Sequence, residues 1–207
     1  MESFARLSVN GMPKKTVYSP YDLSSMLHVG EDKIEEWLRS GELASFKIPG
    51  NHSRIRFESL EKFFADKNIS QPEAWKASLP QKFRILVVED DSDMLEIIGE
   101  LLNEENQAEV QMESSGFGAA LKIMNWHPDL ILLDFVMPGM DGFEVCKQLK
   151  KNPKTKDIPI LAITSLSTLD NKKAVMESGI SAFLGKPFQA DRMFFMVRQL
   201  LGLQITA

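Results

Sequence analysis

The sequence predicts an α/β fold: a doubly wound five-stranded parallel sheet, preceded by a small, mainly helical domain. Three observations carry this. From Arg84 onward, five short apolar runs of strand length alternate with five stretches of helical length, the order that builds a parallel sheet covered on both faces. Before that point the charge pattern differs. Residues 1–78 hold 11 basic and 11 acidic side chains, so the net charge of -5 resides wholly in residues 79–207. Between the two parts, Lys67 to Lys82 (KNISQPEAWKASLPQK) is polar, carries Pro72 and Pro80, and interrupts the apolar rhythm on both sides, as interdomain linkers do. The chain thus divides into a tail (1–14), a first domain (15–67), a linker (68–82) and a second domain (83–207).

Composition bounds the class. At 207 residues, with 43% hydrophobic and 26% charged side chains, the chain has enough apolar material to bury a core without disulfide staples. Its single cysteine, Cys146, has no internal disulfide partner and suits a reducing, cytoplasmic setting. The opening MESFARLSVNG carries no apolar stretch of signal-peptide length, and no run approaches the ~20 apolar residues that span a bilayer, so no membrane is expected. The acidic balance, taken alone, argues against nucleic acid as a partner. Resolved along the chain, it does not, because residues 1–78 balance to zero.

In the first domain, Ser19–Pro20–Tyr21–Asp22 reads as a capping box with proline at the first helical position. It opens a short helix carrying Leu23, Met26 and Leu27. After a turn at Val29–Gly30, Ile34, Trp37 and Leu38 recur at helical spacing until Gly41 stops the helix. LASFKI (43–48) and SRIRF (53–57) then alternate around Pro49–Gly50–Asn51, a hairpin signal. A last helix, ESLEKFFAD, supplies Leu60, Phe63 and Phe64 to the core. Helix, turn, helix, hairpin, helix is the order of a winged helix-turn-helix domain.

In the second domain the strands are RILVVE (84–89), EVQMES (109–114), LILLD (130–134), PILAIT (159–164) and SAFLGKP (181–187), separated by helices at 92–105, 117–125, 142–151, 168–177 and 190–201. Right-handed crossovers place every strand-to-helix loop along one edge, where ligands of such sheets bind. That edge receives Glu89, Asp90 and Asp91 from the first strand, Asp134 from the third, Thr164 from the fourth and Lys186 after the fifth. Converging carboxylates raise one another's pKa and call for a cation, and oxygen ligands of this kind suit Mg2+. An amine and a hydroxyl facing them suggest that an anion also visits, which makes a phosphoryl-transfer site. Asp91 is read as a helix cap or supporting carboxylate rather than a ligand.

These segments carry a resemblance. ILVVEDD at 85–91, DLILLDFVMPGMDG at 129–142, ITS at 163–165 and GKPF at 185–188 together resemble the receiver domain of two-component response regulators, over about residues 83–204. The resemblance implies a flavodoxin-like fold and a phosphoprotein whose phosphoacceptor is Asp134, charged by a sensor histidine kinase or phosphotransfer protein. It implies that Glu89, Asp90, Asp134 and the backbone carbonyl of Val136 hold Mg2+, and that Thr164 and Lys186 bond the phosphoryl group. It places Phe183 at the switch aromatic position that moves with Thr164, although core packing explains a phenylalanine there equally well. It also implies self-catalysed phosphoryl transfer rather than a turnover enzyme, and homodimerisation on phosphorylation. Two departures stand out. Glu89 is one methylene longer than the common aspartate, and Val136 occupies a position that is often polar, so its side chain cannot position a hydrolytic water.

The first domain, over about 50 residues, is similar to the excisionase/MerR type of winged helix-turn-helix DNA-binding domain, on WLRSGEL and the basic wing before the final helix. That resemblance implies a second helix in the major groove and a wing on the backbone or minor groove, hence a transcription regulator contacting DNA through Lys33, Arg39, Lys47, His52, Arg54 and Arg56. The second helix nevertheless exposes Glu31, Asp32, Glu35 and Glu36 against Lys33 and Arg39, a balance of -2. A phosphorelay or scaffold protein, whose first domain binds a protein partner, is the alternative. An aspartate-nucleophile phosphatase would want its nucleophile at the end of the first strand. Asp91–Ser92–Asp93 mimics its spacing, but that reading leaves MPGMDG and GKPF without a role.

Overall fold

The computed structural model describes residues 15–71, 82–105, 107–137, 140–165 and 174–203. The expected tail, most of the linker and the first part of the helix expected at 168–177 lie outside the described residues. The chain divides into two compact units.

The first unit begins with β1 (Val17–Tyr18), followed by α1 (Pro20–Leu27), α2 (Glu31–Ser40), β2 (Phe46–Ile48), β3 (His52–Arg56) and α3 (Phe57–Lys67). The capping box forms as the sequence predicts. Ser19 Oγ accepts from the Asp22 amide at 3.1 Å, and the Asp22 carboxylate accepts from the Ser19 amide at 2.8 Å. Two donors that the first helical turn leaves without partners are thereby satisfied. Gly41 closes α2 in the left-handed region at φ 77°, where a Cβ would be strained. The wing turns at Gly50 and Asn51, both at positive φ, with the Asn51 amide donating to the Ile48 carbonyl at 3.1 Å. Trp37, Phe63, Phe64, Leu23, Met26, Ile34, Leu43 and Leu60 fill the core, and the Trp37 and Phe63 rings lie 4.9 Å apart. β1 is an addition to the sequence reading. It pairs antiparallel with β3, making the wing a three-stranded sheet in the order β1-β3-β2. Two residues are too few to show a period of 2, so no pattern marks it.

The second unit contains β4 (Phe83–Val88), α4 (Ser92–Asn103), β5 (Ala108–Glu113), α5 (Gly116–Trp126), β6 (Leu130–Asp134), the short pair β7 (Val136–Met137) and β8 (Met140–Asp141), α6 (Gly142–Lys151), β9 (Ile160–Thr164), β10 (Ala182–Gly185) and α7 (Ala190–Leu201). Residues 174–177 are helical. The five long strands form one parallel sheet in the order β10-β9-β6-β4-β5, the doubly wound arrangement that the alternation predicts. Alternating side chains split each apolar run between two cores. Ile85, Val87, Leu130, Leu132, Leu161 and Ile163 face α4 and α7. Leu86, Val88, Ile131, Leu133, Ile160 and Ala162 face α5 and α6. Burial on both sides explains why these strands read as continuous apolar runs rather than as alternation. Among the described residues, no helix is long and apolar enough to cross a membrane.

Candidate functional site

The switch in strand order lies between β4 and β6, whose carboxyl ends deliver the acids. Asp134 is the last residue of β6 and is buried. Glu89 directly follows β4, where its amide donates to the Glu113 carbonyl at 3.1 Å and its side chain is 2% exposed. Asp90, next along, is exposed. One carboxylate oxygen from each of Glu89, Asp90 and Asp134 lies within 4.8 Å of the others.

Lys186, beyond the end of β10, reaches into this cluster. Its Nζ donates to Glu89 Oε2 and to Asp134 Oδ2, each at 2.6 Å. Two buried carboxylates share one ammonium. Burial alone would pull the lysine pKa down, but the hydrogen bonds and charges of Asp134 and Glu89 outweigh it, and the ammonium is held above its ordinary range. Glu89 moves the other way from a typical paired acid. Burial raises its pKa, the charge of Asp134 raises it further, and the Lys186 bond recovers only part. Three carboxylates here face one ammonium, an excess of negative charge. Hard oxygen donors with one exposed member, gathered within 4.8 Å of one another, fit a divalent cation such as Mg2+.

The sheet register brings the remaining residues alongside. Ile163 sits opposite Asp134, and Gly185 opposite Thr164, so Thr164 ends its strand one residue beyond Asp134 at the same edge. Thr164 is wholly buried, and its carbonyl accepts from the Lys186 amide at 2.9 Å, before the cis Lys186–Pro187 peptide. Phe183 faces Ala162 across the ladder and is half-buried against the α5/α6 core. The Val136 amide donates to Asp134 Oδ1 at 2.8 Å, while its side chain is 48% exposed. Asp91 caps α4, accepting from the amides of Asp93 and Met94 at 3.0 and 3.1 Å, the capping role that the sequence predicts for it. Glu89, Asp90, Asp134, Thr164 and Lys186 are thus gathered at one edge. The direct bond between Glu89 and Lys186 was not expected; the extra methylene of Glu89 is the sequence feature that bears on it.

In the first unit the residues proposed from sequence spread over three elements, α2, β2 and β3. Lys33 Nζ donates to Glu36 at 3.0 Å and lies 5.9 Å from the Trp37 ring; Arg39 Nε donates to the Glu35 carbonyl at 3.4 Å. On the wing, Lys47 donates to Ser53 Oγ at 2.9 Å, Arg54 to the Ser53 carbonyl at 2.8 Å, and Arg56 stacks 4.5 Å from the Phe46 ring. His52, Arg54 and Arg56 share one face of β3, but His52 and Arg54 are buried, so of these three expected DNA contacts Arg56 alone is open to solvent.

Comparison with known proteins agrees with this geometry. A response regulator receiver domain model matches residues 85–198, and a helix-turn-helix domain model matches residues 13–68. The DNA-binding dual master transcriptional regulator RpaA of Synechocystis sp. is 36% identical over 121 residues, 57% of this chain and 48% of that protein. The signal receiver domain of a DNA binding response regulator protein (merR) from Colwellia psychrerythraea superposes with a TM-score of 0.55 at 30% identity, covering 58% of this chain and 99% of that one. The receiver domain of the sensor histidine kinase PA1611 from Pseudomonas aeruginosa, solved with magnesium in its active site cleft, shares the fold at a TM-score of 0.54 and 22% identity, over 58% of this chain and 98% of that one. The chain spans about half or less of the length of the curated relatives it matches. With the receiver model covering more than half of its residues, and a helix-turn-helix domain preceding it, the chain belongs to the response regulator receiver family.

Proposed function

We propose that this chain is the phosphorylated output component of a two-component system, accepting a phosphoryl group on Asp134 and acting on DNA through its first domain. The observation that carries the proposal is the buried carboxylate of Asp134 held by the Lys186 ammonium at 2.6 Å, beside two further carboxylates. An Asp134 oxygen attacks the phosphorus of a phosphohistidine on a sensor kinase or phosphotransfer protein. The P–N bond breaks, the imidazole keeps the electron pair and takes up a proton, and an aspartyl phosphate forms. Glu89, Asp90, Asp134 and the Val136 carbonyl would hold Mg2+, which when bound neutralises charge on the phosphoryl oxygens. Lys186 supplies a fixed cation to the same oxygens, and the Thr164 hydroxyl stands at the edge where they arrive. Phe183, one strand over, follows the movement of Thr164. The chain serves as a phosphoacceptor with self-catalysed transfer rather than as a turnover enzyme.

The test is intact-mass analysis after incubation with a small acyl-phosphate donor and Mg2+. One phosphate is expected on the wild-type chain and none on Asp134→Asn or after chelation. Equal labelling of Asp134→Asn would refute the assignment.

The acidic α2 supports a second reading. Its two cations are both engaged within the helix, Lys33 with Glu36 and Arg39 with the Glu35 carbonyl, which suits a first domain that binds protein instead of DNA. Selection from fragmented genomic DNA at low salt separates the two: enrichment of specific fragments supports transcriptional control, and none at all supports a scaffold.

A further inference from the structure

Gly142 opens α6 and is buried. Its φ lies outside the left-handed region, so the backbone there does not call for glycine. Space does. A Cβ at this position would stand 2.9 Å from Phe135 Cα, 2.9 Å from Phe135 Cγ and 3.1 Å from its Cδ1, against the 3.4 Å at which ordinary contact begins. One of these atoms is backbone, and it cannot turn aside as the tip of a side chain can.

Phe135 has little room to yield. It is buried in the core between the sheet and helices α5 and α6, and interiors of this kind are close-packed. Its ring meets that of Phe143 at 5.2 Å between centroids and 88°, an edge-to-face contact. The first two residues of α6 thus grip Phe135 at two points, Gly142 on the main chain and Phe143 on the ring.

Phe135 stands between Asp134 and Val136. The Val136 amide donates to Asp134 Oδ1 at 2.8 Å, and Val136 pairs with Asp141, the residue before Gly142, across β7 and β8. Planar peptides join Phe135 to both neighbours. A shift of its Cα is therefore handed to the Asp134 carboxylate on one side and to the Val136 amide and carbonyl on the other. Relief of the contact requires about 0.5 Å, the gap between 2.9 and 3.4 Å. Misplacement by about 1 Å can cost a reacting group about 100-fold, so half that distance corresponds to roughly 10-fold. Alanine is otherwise the better helix former, so on local grounds the substitution favours α6.

We propose that Gly142 is a positioning residue for phosphoryl acceptance. Its bare Cα lets α6 seat against Phe135, and that contact sets where the Asp134 carboxylate and the Val136 peptide stand. The proposal rests on the reading of Asp134 as phosphoacceptor.

Intact-mass time courses with a small acyl-phosphate donor and Mg2+ test it on the full chain. Gly142→Ala is expected to take up phosphate roughly 10-fold more slowly than wild type, whereas Gly30→Ala, with nothing within 4 Å of its added methyl, keeps the wild-type rate. Phe143→Leu, which removes only the edge-to-face ring contact, is expected to slow uptake roughly 3-fold. Valine-selective amide NMR spectra without donor separate positioning from general disruption. The Val136 signal, identified by its loss in Val136→Ile, should move in Gly142→Ala, while those of Val110 in β5 and Val197 in α7 stay in place. Should Gly142→Ala fail to fold, Phe143→Leu decides alone by the same two readouts. No phosphate on the wild type would overturn the reading of Asp134 and this proposal with it. A labelled wild type matched in rate by Gly142→Ala and Phe143→Leu would overturn this proposal alone, as would a Val136 signal that stays put or equal shifts at Val110 and Val197.

Discussion

At the scale of single residues, chemistry at Asp134 turns on its neighbours two positions away and across the sheet. Lys186 is bound to both carboxylates, so one ammonium holds the two acids together. Val136 has the opposite character. It contributes its amide to Asp134, but its half-exposed isopropyl group offers no donor or acceptor to a water approaching the phosphorus. Hydrolysis of an aspartyl phosphate needs that water positioned, and orientation is worth a large part of such barriers. Val136→Asn puts an amide where the isopropyl stands. The phosphorylated variant is expected to lose its phosphate roughly 10-fold faster than wild type at equal phosphorylation. Loss of label after removal of the donor measures it, and an unchanged half-life would show that water reaches the phosphorus by another route.

At the scale of elements, the first unit rests on a buried polar knot at the start of α1. Lys15 and Asp22 pair at 3.1 Å with both side chains less than 10% exposed, and the Lys15 amide donates to the Tyr18 hydroxyl at 2.8 Å. Burial pushes the Tyr18 pKa up from 10.0 to about 12. Its neutral form is thus favoured by the fold. The corresponding stability is fully present below pH 10 and disappears as pH rises through the folded value. Unfolding of the first unit is expected to become easier between pH 10 and about 12, by up to roughly 2 kcal/mol, and Tyr18→Phe should remove most of that dependence. Asp22→Ala would remove the carboxylate paired with a buried ammonium and cost about 3 kcal/mol at neutral pH. Urea unfolding followed by Trp37 fluorescence reads both, and identical alkaline sensitivity in Tyr18→Phe would rule out the tyrosine. This knot also marks what the sequence hides. The capping box was legible because its residues lie three apart, and the receiver strands because each is apolar throughout. The Lys15–Asp22 pair, β1, the β7–β8 pair and the Glu89–Lys186 bond depend on contacts that no local period encodes, or on strands of two residues.

At the scale of the whole molecule, the question is whether a chain of net charge -5 binds DNA strongly enough to control transcription. The charge itself is not the obstacle, since the deficit belongs to residues 79–207 and Glu89, Asp90 and Asp134 account for part of it. The constraint lies in the number of phosphates that one first domain can neutralise. Lys33 and Arg39 are engaged with their own helix and Arg54 is buried, which leaves Lys47 and Arg56 on the wing as the main phosphate contacts. Each neutralised phosphate contributes about -0.9 to the slope of log affinity against log salt, so a single domain gives roughly -2. That is a shallow dependence and a weak complex. Two domains acting together on adjacent half-sites would double the slope to about -4 and raise affinity through effective concentration. If phosphorylation of Asp134 drives such pairing, titrating salt against a selected DNA fragment should give the shallow slope for Asp134→Asn and the steep one for phosphorylated wild type. Equal slopes would separate DNA binding from phosphorylation, and no salt-dependent binding in either would move the first domain to a protein partner.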